Sequence, residues 1–383
     1  MMRKEPFLYL SAFVMDSGMA LVGLCVPLLA IQVGGTYDDL GALRATHAFT
    51  YAAGAFLLGR LADRVGYRRS MATCSLLLVP ILAGYCYADA VWQLFSLSLL
   101  SGLALAAFWP SLQAWLGEGQ NRDGLRRVIG GFNISWSLGM IAGPGLAGAL
   151  YAAHAEGSFI WVASLCAVLF MAIGLVRIKE NSPGEPVETE AASIAAARVF
   201  LPVAWVANFA TFFATGIIRS LFPKLATDLG LSAAHLGYLM ALIGVGQLVT
   251  FALISRTHRW QFRLWPLALV QLVAIAGFAA LAFGSTLVVF AVGLLSQGLL
   301  IGFTFTASGF YSLHTAARGG RRIGIHETVL GSGNLVGPLA GGLVAEHIGA
   351  RAPYLLAAGV VALALLAQIE YLRRYRAGRD RPC

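Results

Sequence analysis

Long apolar runs, each followed by a short polar or basic stretch, constrain this chain more than any other feature. About 20 apolar residues cross the hydrocarbon core of a bilayer as one helix. Such runs recur at about 8–31, 40–60, 70–88, 91–116, 127–152 and 158–177, then at about 199–222, 234–255, 263–284, 286–316, 323–346 and 352–372. Composition agrees, with 58% hydrophobic and 12% charged residues, against about 45–50% and about 25% in soluble domains. Lipid is therefore expected to be the solvent for most of the chain. The 44 glycines suit the close helix packing of membrane proteins and follow no Gly-x-y period.

A net charge of +9 raises the question of nucleic acid. The basic residues, however, sit in short clusters between apolar runs and form no stripe with interleaved aromatics, so no nucleic-acid partner is expected. Counted with the N-terminus inside, 23 of the 27 Lys and Arg fall in inner segments. The outer loops receive Lys224 and Arg351, while Arg44 and Arg219 lie within or at the outer ends of spans. One miscounted helix would switch the side of every later loop, so this asymmetry predicts twelve spans with both termini cytoplasmic. The N-terminal run resembles a signal peptide after Arg3 and Lys4, but it continues to about Ile31 and reads as the first span. The five cysteines show no CxxC or ligand spacing, and neither metal nor other cofactor is expected.

Residues 179–197 carry Glu180, Glu185, Glu188 and Glu190 with Pro183 and Pro186, and read as a cytoplasmic linker. It separates a first six-helix half, 1–178, from a second, 198–383. The fifth run contains GMIAGPGLAG and the eleventh GNLVGPLAGG. At an offset of 194 residues, Gly139, Gly143, Pro144, Ala147 and Gly148 meet Gly333, Gly337, Pro338, Gly341 and Gly342. Each block follows an arginine pair, Arg126–Arg127 or Arg321–Arg322. A matched block in the fifth span of each half indicates duplication, and transporters built of parallel halves bind substrate between them near the midplane.

Between the second and third runs lies GRLADRVGYRRS, Gly59 to Ser70. Gly59 allows close approach and Gly66 a tight turn, while Asp63 can cap a helix or pair with an arginine. This stretch resembles the signature loop of the major facilitator superfamily, through Gly59, Leu61, Ala62, Asp63, Arg64, Gly66, Arg68 and Arg69. The resemblance implies an all-α membrane fold of twelve helices in two pseudo-symmetric halves, and a cytoplasmic gate at this loop. The matching stretch of the second half, SRTHRWQFRLW, has Thr257 where the aspartate is expected. The block around Pro144 resembles the superfamily's antiporter motif, with Ala147 in place of one glycine, and this implies proton-coupled export. A bend with tight packing explains the same residues.

Ionisable groups inside spans are costly and point to function. Asp16 interrupts the first run and reads as a proton or cation site, or as a structural carboxylate bonded to other helices. Arg44, His47 and Tyr51 share one helical face; Arg44 is expected to snorkel to the outer interface, with an anion-attracting role as the alternative, and His47 lies deeper. Arg219 and Lys224 are expected at the outer interface. His326 and Glu327 read as a cytoplasmic charge cluster beside Arg321 and Arg322, with Glu327 also a candidate gate partner. Trp109 with Gln113, and Asn133 with Trp136, place an aromatic and an amide on one face, suited to a polar organic solute. Asn208, Gln247 and Gln297 add neutral polar groups, although such residues also bond between helices.

No Walker A pattern is present. Nor does any span carry HExxH, GxSxG or a convergent carboxylate pair, so a membrane enzyme is not expected. The leading expectation is a monomeric, multi-pass secondary transporter of the cell's inner membrane, exporting a small-molecule substrate with protons as the coupling ion. The alternatives are uptake of a sugar or other nutrient, and a transporter-like receptor or biogenesis factor that moves no cargo.

Overall fold

The structure, a computed structural model, describes the backbone of residues 2–118, 120, 122–175, 178–179, 191–315 and 320–379. Its helices are α1 (Lys4–Gln32), α2 (Tyr37–Val65), α3 (Tyr67–Gly84), α4 (Val91–Leu105), α5 (Phe108–Gly117), α6 (Arg122–Ala153) and α7 (Ala155–Leu175). They continue with α8 (Ala191–Asp228), α9 (Ala233–Ser255), α10 (Leu264–Phe283), α11 (Leu287–His314), α12 (Gly320–His347) and α13 (Ala352–Arg379). A two-residue parallel pairing of Met2–Arg3 with Ile178–Lys179 joins the start of α1 to the segment after α7. In lipid the backbone must satisfy its own hydrogen bonds, and a helix does so within one segment.

Among the described residues, ten helical stretches are long and apolar enough to cross a membrane, with α4 and α5 counted as one. The other two long helices, α2 and α6, have 29 and 32 residues, or about 44 and 48 Å at 1.5 Å per residue. Charged, polar and small residues lower their hydropathy, and these two helices make the main contacts between the early and late parts of the chain. The fourth run, expected as one helix over 91–116, is broken at Ala106–Ala107. Pro110 explains the break, because its ring displaces the carbonyl four residues earlier, that of Ala106. Helix α8 begins at Ala191, inside the stretch expected to be linker.

Polarity is inverted relative to a soluble protein. Leu57, Trp92, Val288 and Leu363 are two-thirds or more exposed, while Ser137, Asn208, Gln247 and Gln297 are fully buried. Helices α1–α7 pack among themselves through α1 on α6, α3 on α7 and α2 on α4. Helices α8–α13 do so through α9 on α11, α8 on α12 and α10 on α11 and α13. Two pairs, α6 on α9 and α2 on α12, lead the contacts between the groups.

The 194-residue repeat now has a physical meaning. Gly139 and Gly143 of α6 lie against Asp16, Ser17 and Ala20 of α1, as Gly333 and Gly337 of α12 lie against Phe209 and Phe213 of α8. The last glycines of the two blocks face outwards from their own groups. A Cβ at Gly148 would strike the Ala233 carbonyl of α9 and meet Ala234 Cα at 2.9 Å. A Cβ at Gly342 would meet the Tyr37 carbonyl of α2 at 2.9 Å. Pro144 and Pro338 present their carbonyls to Gly237 and Gly41 in the same crossed fashion. Backbone thus meets backbone across a seam between the groups, as small residues permit in membranes.

Only Gly66 separates α2 from α3, and its φ of 93° with ψ of 141° is closed to side-chain-bearing residues. Two residues on, Arg68 Nε donates to the Ile173 carbonyl at 2.7 Å and a terminal nitrogen to Gly174 at 3.0 Å. A cation at the end of α7 satisfies carbonyls that lack helical partners and complements the helix dipole. We expect Gly66→Ala to lower stability by roughly 1–3 kcal/mol, read as a lower Tm in detergent. Gly23→Ala, where nothing lies within 4 Å of the added carbon, should leave the Tm unchanged or slightly raised.

Candidate functional site

A cavity of about 200 Å³ lies where α1, α2 and α4 face α6, α8 and α9. Its walls are apolar, with Leu40, Leu43, Leu105, Met240 and Ile243 among them, and five ionisable side chains line it: Asp16, Arg44, His47, Tyr85 and Arg219. Arg44 stands seven residues inside the start of α2, and Arg219 nine residues before the end of α8. Those positions are about 10 and 13 Å along the helix axes. The expectation that Arg44 snorkels to the outer interface and that Arg219 lies at it is corrected: both side chains line the cavity between the groups.

The charges are poorly paired. Among the described residues, ion pairs within 4 Å are Lys224–Asp228 and Arg374–Glu370, neither in the cavity. Asp16 is 7% exposed, and its Oδ2 has no hydrogen-bond partner; nor does Nε of Arg44 or of Arg219. A terminal nitrogen of Arg219 reaches only the thioether of Met140, at 3.5 Å. Arg219 is near enough to act electrostatically on both Asp16 and Arg44. His47 Nδ1 lies 3.1 Å from Ser101 Oγ, whose proton goes to the Ser98 carbonyl at 3.0 Å. That chain assigns the imidazole proton to Nδ1 and leaves Nε2 as an acceptor.

At the end of the seam a polar cluster joins α2 to α8 and α12. Tyr37 donates its hydroxyl to Asp228 Oδ2 at 2.7 Å and its backbone N–H to Glu346 Oε2 at 3.1 Å. Lys224 sits 5.1 Å from the Tyr37 ring centroid and 3.7 Å from Asp228 Oδ1. Sequence reasoning missed this cluster, although the i,i+4 spacing of Lys224 and Asp228 signals an ion pair.

The remaining candidates divide. Trp136 reaches across the groups to Phe305, centroids 4.9 Å apart, and to Phe251 at 6.3 Å. Asn133 is buried near it in sequence with an unpartnered Oδ1. Gln247 donates to Ser137 at 3.2 Å, also between the groups, whereas Gln297 donates to Thr215 at 2.6 Å within the later group. Asn208 is fully buried with both amide atoms unpartnered. Glu327 is half-buried and acts electrostatically on Tyr51. His326 is 4% exposed, hydrogen-bonded to Ser308 at 2.7 Å and set against Phe305. It therefore belongs to the interior and not to a cytoplasmic charge cluster. Trp109 stacks edge-on against Phe108 and Phe132 within the early group, and Gln113 is exposed, so that pair does not join the cavity. In the gate loop Arg64 and Arg69 are exposed and Arg68 binds α7, while the Asp63 side chain lies outside the described residues.

The family model described as Major Facilitator Superfamily matches residues 8–319 and 204–382. The chain belongs to the major facilitator superfamily. It is a multi-pass membrane transporter by family, not an enzyme. The multidrug resistance protein MdtG of Salmonella paratyphi C is 25% identical over 394 residues, covering 96% of this chain and 95% of that one. The multidrug efflux pump Tap of Mycolicibacterium fortuitum is 27% identical over 284 residues, covering 66% of this chain and 68% of the pump. Among solved structures, a bacterial homolog of the human lysosomal transporter Spinster, inward-facing and occupied, superposes with a TM-score of 0.76 at 13% identity. That match covers 99% of this chain and 98% of that one. The nucleoside transporter NupG gives 0.69 at 14% identity, with 97% and 99% covered. These two likenesses show the superfamily fold.

The seam makes a direct prediction. Leucine at Gly148 would force α6 and α9 apart without disturbing α6 on α1. Spin labels at the exposed residues His154 and Leu229 should show a longer distance in Gly148→Leu than in the parent chain, by double electron–electron resonance. An unchanged distance would mean that the seam tolerates bulk and does not set the closed end.

Proposed function

We propose that this chain is a proton-coupled exporter of a small organic solute, working by alternating access between two six-helix halves, 1–178 and 198–383. In this reading there are twelve spans, both termini are cytoplasmic, and the protein acts as a monomer in the inner membrane. One observation carries it: a cavity with ionisable groups lies between helices of the two halves, beside a seam. The distribution of basic residues supports an outer position for that seam, and in this reading a cavity closed on that side is inward-facing. Export takes its support from the antiporter-like block at Pro144 and from relatives named as multidrug efflux pumps. Asp16 is the proton carrier of this reading, because it is the one carboxylate lining the cavity and its Oδ2 has no competing partner.

The cavity also supports a second direction. Two arginines against one aspartate leave an excess of positive charge, and a proton on Asp16 enlarges it. A solute that answers this charge loads together with the proton, which is the condition for uptake.

Counterflow in proteoliposomes decides between them, using a solute found to stabilise the purified protein. Export coupled to protons requires solute to move against an imposed proton gradient; movement with the gradient would establish uptake instead. Binding without flux in sealed vesicles would make the protein a receptor. Asp16→Asn should reduce gradient-driven flux to the level of empty liposomes while preserving solute exchange at equal pH. Undiminished gradient-driven flux in that variant would remove Asp16 from the coupling step.

A further inference from the structure

The cavity charges point to the chemical class of the cargo. Arginine stays protonated in proteins, and its planar fork matches a carboxylate in a bidentate way. Arg44 and Arg219 both line the cavity, and their electrostatic fields overlap. Two like charges in a low-dielectric site repel, and each buried guanidinium nitrogen without a partner carries a desolvation cost. Asp16 answers only part of this. Among the described residues it forms no ion pair within 4 Å, and one of its own oxygens is unpartnered. The remaining lining offers no second carboxylate.

We infer that Arg44 and Arg219 bind the carboxylate of a small organic anion, whose apolar body lies against Leu40, Leu43, Met240 and Ile243. The inference rests on the transporter reading but not on its direction. The lining holds two guanidinium groups against one carboxylate, so its charge is positive whether or not Asp16 carries a proton, and an anion answers it. A cation would add to that charge. Arg44 comes from the early group of helices and Arg219 from the late group, so a bound carboxylate ties the two together. Asp16 competes with that carboxylate for Arg219, and it is therefore a selectivity element as well as a candidate proton carrier.

Benzoate, benzamide and benzamidine share one apolar body and differ in charge, so they serve as probes. Binding to the purified full-length protein is measured by calorimetry and by thermal shift, with chloride and inorganic phosphate as further arms. Benzoate should bind saturably and raise the Tm, while benzamide and benzamidine should not. Arg44→Gln and Arg219→Gln should each weaken benzoate roughly tenfold or more, the scale of a lost charge-assisted hydrogen bond. Arg44→Lys, which keeps the charge and loses the fork, should retain part of the affinity and controls for folding. Asp16→Asn should tighten benzoate by removing the competitor.

Several results would overturn the inference. These are stronger binding of benzamidine than of benzoate, an equal or absent response to all three probes, or benzoate binding that ignores both arginine substitutions. Chloride or phosphate stabilising as well as benzoate would reduce the site to one for inorganic anions and overturn it too. Benzoate binding without flux would sink the transport reading and leave this one standing. Flux of a solute that benzoate does not inhibit would do the reverse.

Discussion

Backbone against backbone, with no side chain between, is the contact on which the rest of this structure depends. Lipid tails are as apolar as leucine, so helices in a membrane gain little by hiding leucine from them. What they gain comes from van der Waals contact at short range, and only glycine and other small residues bring two helix axes close enough. Gly148 against Ala233 and Ala234, and Gly342 against Tyr37 and Asp38, place that contact between the two groups of helices. Gly139, Gly143, Gly333 and Gly337 place the same contact within them. One ten-residue block thus serves both purposes, with its early glycines binding a helix to its own group and its last glycine to the other.

The cavity is the complement of that packing. Where small residues line the facing helices the surfaces close; where Arg44, His47 and Arg219 project they cannot, and space remains. Placing two guanidinium groups and a carboxylate there without mutual ion pairs is costly by several kcal/mol per buried ion. The bundle offsets this elsewhere through buried amide and hydroxyl pairs, such as Gln271 with Gln368 at 2.9 Å and Gln297 with Thr215. Unpaired charge inside a bundle is costly and points to function, here in an interior where neutral groups, such as Asn208, also lack partners.

Particular residues show what the sequence could and could not reveal. The Gly-Pro blocks were legible because a fixed offset of 194 residues is visible without knowing depth or rotation. Asp16 was legible because one charge in a long apolar run has no bland neighbour. Arg219 was misplaced for a simple reason. The apolar run ends near residue 222, three residues beyond it, but α8 continues to Asp228. Hydropathy locates the edge of a run but not what a residue near that edge faces, and Arg219 faces the cavity. The same limit hid that His326 packs against Ser308 and Phe305. Trp109 and Gln113 failed for a different reason: Pro110 breaks the run at Ala106–Ala107, and α5 no longer continues the face that α4 would have set. The pairing of Tyr37 with Asp228 and Glu346 was out of reach, because it joins residues 191 and 309 positions apart.

The short elbow between α2 and α3 has a mechanical consequence. A single glycine in a backbone region that few conformations satisfy leaves no slack, and Arg68 bolts the start of α3 to the carbonyl end of α7. Helices α2, α3 and α7 are therefore linked like the arms of one lever at that end of the bundle. Any tilt of α2 is transmitted to α3 and α7 instead of being absorbed at the bend. The far end of α2 is held differently: glycine contacts bring it against α12, and Tyr37 ties it to Asp228 and Glu346. Helix α2 is thus fastened at both ends, with Arg44 between the fastenings.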